Sequence, residues 1–505
     1  MTVLEDTSER KASPGSVYRD PKKRPKTDVP HEVIQTVVVA FSFPLHTVSS
    51  VCRLWRDVAR NLPEYWSRLV IFIDENFTPL SEVQKQIELS GHVPLDIFVA
   101  HRDFDTDDDD DDEDLQEEAE RENSRVEAVM KLLAPLIPRC RCFVFDVKYS
   151  SSLPYISQDF RGHAPDLRVL KLQCMIDDGR SRLPLAPEIP AEEEFTFPLL
   201  TTLALDGCTF MDACSVPSWK NQLNALVIDT LSISNFTASD VDRDEDEDSE
   251  EDDEDEPFDL YALVSNLSHI GFIRNLILDN VNTTWRTGDF DEGCYEIQLN
   301  NLTIIGNQAI EYMQELHLVI FGSTLCYYHL ADTPLSWESI PLVHHLRLQR
   351  TPNMEDSDFR RAMTRFFGNR LDLLDCEGLS DEHLLDIAGH CEPLRRLYIK
   401  GCPNITVEGL RDMITERNRL VSEDDDDDDD DDEEDNDDDT DSESVLECDD
   451  DAEELIDSGF SAREQPPRGF SFQPIHRLVV VGHPERLTKP NRQWFKDRVR
   501  SFHWE

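Results

Sequence analysis

Seven stretches of the chain share one spacing: an apolar residue, two variable positions, leucine, one variable position, and a further apolar residue. They are Leu167–Leu172, Leu200–Leu205, Leu223–Ile228, Ile273–Leu278, Leu299–Ile304, Val343–Leu348 and Leu394–Ile399. The last two apolar positions alternate as in a short strand, and the first points inward from the turn before it. A unit this small cannot bury its own apolar edge, so such units must stack. The clearest period lies late in the chain. There Leu371, Leu373, Cys376, Leu379 and Leu384 map onto Leu397, Ile399, Cys402, Ile405 and Leu410 after a shift of 26 residues. Elsewhere the spacing varies, which predicts an irregular stack with longer helices or loops on its outer side.

Charge divides the chain in a second way. The 505 residues carry a formal net charge of −57, from 106 acids and 49 Lys plus Arg. The windows 103–118, 240–256 and 423–457 hold 51 of those acids; outside them 55 acids face 48 bases, a net of −7. Like-charge runs repel and bury no apolar area, so these windows predict extended, disordered inserts. Such inserts serve either as solvated loops or as docking segments for basic proteins such as histones. A general nucleic-acid binder needs a basic surface and is not expected. The length allows three domains, or one domain with a long repeat array.

No run of 18 apolar residues offers a membrane span, and Met1 to Lys26 has no apolar core of a secretory signal. The 12 cysteines form no CxxC pair and are expected to be reduced and mostly buried, as suits an intracellular protein of the nucleus or cytoplasm. Lys22, Lys23, Arg24 and Lys26 form a short basic cluster that is either a nuclear import signal or part of a solvated tail. GxSxG, HExxH and GxxxxGK[ST] motifs are missing, so no catalytic residue, cofactor or metal is predicted. His390, Cys391 and Cys402 could be imagined as ligands, but Cys376 and Cys402 share one repeat position, where a small buried thiol suits the turn. His344 and His345 straddle a strand position, and at least one must face outward.

Residues 28–73 read as a compact helical unit. Asp28 can cap a helix with Pro30 in its first turn, followed by the stripe Val33, Ile34, Val37, Val38 and Phe41. A second helix carries Val48, Val51, Cys52, Trp55, Val58, Ala59 and Leu62 on one face and is ended by Pro63. Tyr65, Trp66, Leu69, Ile71 and Ile73 make a third short apolar segment. A unit of about 45 residues is at the edge of what one core stabilises, so an apolar patch should remain, covered by another subunit or by the rest of the chain.

The strings Val29-Pro30-His31-Glu32-Val33-Ile34, Val48-Ser-Ser-Val51-Cys52-Arg53-Leu54-Trp55-Arg56-Asp57-Val58-Ala59 and Pro63-Glu64-Tyr65-Trp66 resemble the F-box family. Gln86–Ile97 is similar to the segment that follows the F-box in many fungal members, and LYIKGCPNITVEGL resembles the cysteine-containing leucine-rich repeats that often accompany it. The resemblance implies an α/β protein: an N-terminal three-helix F-box, then an irregular leucine-rich-repeat solenoid interrupted by acidic inserts. The implied map is a disordered tail over 1–27, the F-box over 28–73, and a linker or first repeat-like segment over 74–100. Acidic inserts follow over 101–124, 240–256 and 423–467, with repeats over 125–239 and 257–422. A cap over 468–505 closes it, where Ile475, Leu478, Val479 and Val480 read as a strand and Trp494, Phe495, Val499, Phe502 and Trp504 as a helix face.

By the same resemblance, Val29, Pro30, Ile34, Leu45, Val48, Val51, Cys52 and Trp55 would bind a Skp-type adaptor and through it the cullin and RING subunits. The repeats would hold a protein substrate. The chain would be a non-catalytic recognition subunit of a ubiquitin ligase, with an acidic scaffold or histone-chaperone-like binder as the alternative. No nucleic-acid or membrane partner is expected.

Overall fold

The computed structural model describes residues 62–102, 115–178, 195–237, 260–283, 297–306, 325–337, 340–352, 356–426 and 472–505. These form one sheet of 14 strands in the order β1 to β14, every neighbouring pair parallel. The strands are β1 (Arg68–Phe72), β2 (Leu95–Ala100), β3 (Cys140–Tyr149), β4 (Val169–Ile176), β5 (Thr202–Asp206), β6 (Val227–Thr237) and β7 (Phe272–Asn282). They continue with β8 (Leu299–Ile305), β9 (Leu325–Ala331), β10 (Val343–Gln349), β11 (Arg370–Leu374), β12 (Arg396–Lys400), β13 (Arg477–Val481) and β14 (Ser501–Trp504). Helices lie between them: α1 (Leu80–Ser90), α2 (Leu115–Leu133), α3 (Ile156–Asp159), α4 (Gly207–Ser215) and α5 (Pro217–Ala225). The later ones are α6 (Leu260–Ser268), α7 (Asp356–Arg365), α8 (Asp381–His390), α9 (Val407–Asp426) and α10 (Lys489–Arg498).

The registers collect the apolar residues into two columns. One runs Leu69, Ile97, Phe143, Leu170, Leu203, Leu231, Leu276, Leu302, Tyr328, Leu346, Leu371, Leu397, Leu478, Phe502. The other lies two residues further along each strand, from Ile71 and Val99 to Val480 and Trp504. All but the last pair are buried. Each leucine-sized side chain removed from water contributes about 1.5–3 kcal/mol, so the columns are the core of the fold. The residues between the columns are mostly half-exposed, as in the alternating pattern of β4 and β8. The sheet is therefore covered on one face, although parallel sheets usually have both faces covered.

A third column runs from β6 to β13, just past the ends of β8 to β13 and two residues before the ends of β6 and β7. Asn235, Asn280, Gly306, Asp332, Arg350, Asp375, Gly401 and Gly482 all have positive φ, and each stands two residues after the second apolar column. Left-handed backbone is cheap for Gly and tolerated by Asn and Asp. After β8 to β13 it turns the chain off the strand while the amide still reaches the next one, as in Arg350 N–H to Leu374 O at 2.9 Å and Gly401 N–H to Val481 O at 3.1 Å. Arg350 departs from this chemistry, and its guanidinium grips Asp332, the turn residue one strand back, with Nε to Oδ1 at 2.6 Å.

This architecture corrects several expectations. The described residues show no three-helix F-box followed by an irregular solenoid but a single 14-stranded all-parallel sheet with interspersed helices, and residues 28–61 lie outside them. The described end of the expected helical unit belongs to that sheet: Pro63–Trp66 is a 3₁₀ turn and Arg68–Phe72 is β1. Its Leu-Val-Ile-Phe run is β-branched and aromatic, and it pairs with β2 through Leu69 opposite Ile97. The pattern at Leu223–Ile228 is displaced. Leu223 packs from α5, and the residues in register are Leu231 and Ile233, opposite Leu203 and Leu205. Phe502 and Trp504 lie on β14, beyond the end of α10, since their spacing of two is a strand period.

The first acidic window also folds in part. α2 begins at Leu115, inside 101–124, because its acids find partners. Glu122 is buried and accepts from the Lys148 and Tyr149 amides at 3.2 Å, with His101 Nε2 at 2.7 Å. Glu118 accepts from Lys148 Nζ and Tyr149 OH, both at 2.9 Å. At the other end, Arg417 of α9 is buried and donates to backbone carbonyls of Gln473, Ala388 and Cys391 at 2.7, 2.9 and 2.6 Å. It thereby fastens α9 to the chain that enters β13 beyond the third acidic window.

Leu373→Ala should cost about 2–5 kcal/mol in urea unfolding, the range for a buried leucine. Gly401→Ala should destabilise by at least about 1 kcal/mol, because φ is +67° there and a Cβ would meet Asp375. Gly389→Ala, in α8 with open space around it, should stabilise by about 0.5–1 kcal/mol.

Candidate interaction face

The open face of the sheet presents its densest polar cluster over β9 to β12. Strand alternation dictates the membership, because residues flanking the buried leucines must point away from the helices. Register sets His345 between Tyr327 and Arg370, and Arg347 between His329 and Asp372. Asp372 is the pivot. It is 1% exposed, takes a two-pronged bond from Arg370 at 2.9 Å on each oxygen, and lies 3.0 Å from His345 Nε2. Arg347 Nε stands 4.0 Å from the same carboxylate, and its Nη1 reaches Tyr327 OH at 3.3 Å. The Tyr327 and His345 rings lie 4.7 Å apart, and His329 Nε2 meets Gln349 Oε1 at 3.2 Å.

These contacts set the protonation states. Burial alone would raise the Asp372 carboxyl, but the bonds from His345 and Arg370 outweigh it and hold it below the usual aspartate value. Burial, and next the Arg347 guanidinium, push His329 down to about 4. Burial raises the Tyr327 phenol against the opposing pull of Arg347, and it also raises Tyr398, the residue opposite Asp372 on β12. At neutral pH the cluster is thus one buried carboxylate, two guanidiniums and uncharged His329, with neutral phenols at its margins.

Beyond the cluster the same face turns basic. Arg370, Arg396 and Arg477 stand directly opposite one another on β11, β12 and β13. Arg395, Arg396, Arg477 and Arg500 are exposed, and no carboxylate among the described residues pairs with Arg396, Arg477 or Arg500. A second feature is a groove of about 410 Å³ between α9 and α10, where Arg411 and Arg498 stack at 5.0 and 4.3 Å on the Trp494 ring. That stacking covers an apolar ring at the last helix of the fold.

Val29, Pro30, Ile34, Leu45, Val48, Val51, Cys52 and Trp55 lie outside the described residues, as do Lys22, Lys23, Arg24 and Lys26. His344 is exposed, and His345 turns to Asp372. Cys391 and Cys402 are buried and bond to the Met363 and Leu373 carbonyls, while burial pushes the Cys391 thiol up to about 12. Among the described residues no three His, Cys, Asp or Glu side chains gather as a metal site, and no helix is long and apolar enough to cross a membrane. Sequence reasoning missed the Asp372 cluster. Its signal was the charge in the variable positions of the strand pattern, as in Val343-His-His-Leu-Arg and Arg370-Leu-Asp.

No protein-family model matches the chain, and no curated protein matches it.

His329 gives a pH test. Between about 6.5 and 4 the unfolded chain holds a proton on this imidazole that the folded chain does not. Stability should therefore fall as pH drops through that window, by on the order of 2–3 kcal/mol for this group. His329→Gln should remove that part of the slope in urea titrations. Asp372 adds a loss only at lower pH, as its depressed carboxyl takes up a proton.

Proposed function

We propose that the protein is a substrate-recognition subunit of a cullin–RING ubiquitin ligase. Residues 29–62 would dock the Skp-type adaptor and the open sheet face would hold a protein substrate. The observation that carries this reading is the one-sided sheet. Its helices cover one face, and the other offers a continuous row of half-exposed side chains, among them a hydrogen-bonded cluster around Asp372. Such a face is suited to gripping an extended chain. The second support is the string Val-Cys-Arg-Leu-Trp-Arg-Asp at 51–57, which resembles the adaptor-binding segment of F-box proteins.

On this reading the chain's part in the chemistry is positional. It raises the local concentration of substrate lysines near the ubiquitin donor, which the RING subunit supplies. The protein would work in the nucleus or cytoplasm, with Lys22, Lys23, Arg24 and Lys26 as the import signal in the first case.

Purified Skp-type adaptor should be retained by the immobilised full chain, and Pro30→Ala with Trp55→Ala should lower its recovery at least tenfold. Equal recovery by wild type and double variant would falsify the reading.

A further inference from the structure

The basic row at the far end of the open face is not explained by the fold. Arg370, Arg396 and Arg477 are in register on three consecutive strands, and Arg396 and Arg477 are exposed. Strand spacing of about 4.8 Å sets the row at about 10 Å, and like charges directly opposite one another are destabilising. Among the described residues Arg370 has a carboxylate partner, Asp372, and Arg395 bonds Gln473 Oε1 at 3.3 Å. A chain with 106 acids places no described carboxylate on Arg396, Arg477 or Arg500. The next position along the strands carries Tyr398 and Val479, which give a peptide a surface to lie on.

We propose that this arginine row binds an extended segment of a partner protein rich in aspartate and glutamate, laid across β11 to β14. Side chains on one side of an extended peptide recur about every 6.6 Å, so two or three carboxylates can meet the row at once. A nucleic acid fits less well. It gains affinity by neutralising many phosphates along a track, whereas this row is about 10 Å long and the buried Asp372 closes one end. The chain's own third acidic window is the competing occupant, and the test below separates it. α9 runs into that window and ends at Asp426, and the Gln473 carbonyl beyond it is held by the buried Arg417 of that same helix. The proposal rests on the recognition reading above, whose substrate it would describe, but its test needs no adaptor and the two can fail separately.

The probe is a short fluorescein-labelled peptide of alternating Glu and Ser, titrated against the full-length protein by anisotropy, with a Lys/Ser peptide of equal length as control. The acidic peptide should bind and weaken with added salt. Arg396→Ala with Arg477→Ala should weaken it at least tenfold, and Arg396→Glu with Arg477→Glu should abolish it. These side chains are exposed, so unfolding midpoints should match wild type. Lys131→Ala, on α2, should leave binding unchanged. Three results overturn the proposal: undiminished binding by the charge-reversal variant, tighter binding of a single-stranded oligonucleotide lost in that same variant, or peptide binding that appears only after residues 427–471 are removed, which would make the chain's own acidic segment the occupant.

Discussion

Everything in the described structure depends on the burial of two in-register columns of apolar side chains. Each strand offers only two such residues to the core, too few to hold it in place alone. Parallel pairing sets Leu276 beside Leu302 and Leu371 beside Leu397, so every strand's pair is walled by its neighbours' pairs. The arrangement is specific because a slip of one residue would turn the pair to the solvent face. It also explains the recurring left-handed turn. β8 to β13 each stop just past the second core position, where the backbone must leave the plane abruptly, and Gly and Asp supply that at most of these positions at little cost.

The same periodicity builds the functional face. With one set of positions committed to the core, the alternate set is free to carry polar chemistry, and it does so unevenly. Asparagines link Asn301 to Asn275 at 2.7 Å in the middle of the sheet. Towards the end, Asp372 collects Arg370 and His345. Past it stand Arg396 and Arg477, with which no described carboxylate pairs. An exposed basic row can persist in a chain of net charge −57 because screening confines each charge's influence to about 8 Å at physiological salt. Where acids do enter the fold they are matched: Glu118 and Glu122 by Lys148, the Tyr149 hydroxyl and backbone amides, Asp332 by Arg350.

Legibility differed sharply between elements. Segments such as Leu299–Ile304 and Leu394–Ile399 were readable because the spacing of leucines is itself the packing rule. β1, β2 and β3 were harder. Leu69 and Ile71 alternate without a buried residue opening the pattern, while β3 has Cys140, Phe143 and Phe145 in place of leucines, and its run of Phe143 to Phe145 reads equally as any buried segment. The match at Leu223 failed because an apolar residue on a helix and one before a strand look alike in one dimension. The candidate face was least legible: Arg396 and Arg477 are 81 residues apart, with the third acidic window between them.

By itself the amino-acid order determined that the chain is built from short stacked strands, that its excess charge is concentrated in three windows, and that the repeat-position cysteines Cys376 and Cys402 belong to the core. These are local properties, set by side-chain spacing and by the cost of burying charge. Only the tertiary structure decided that the strands join into one continuous parallel sheet starting at Arg68, which face stays open, and which charges meet on it. Register is a long-range property. It is chosen when distant apolar pairs bury each other, and that choice alone brings Asp372 between His345 and Arg370, and lines three arginines up across three strands.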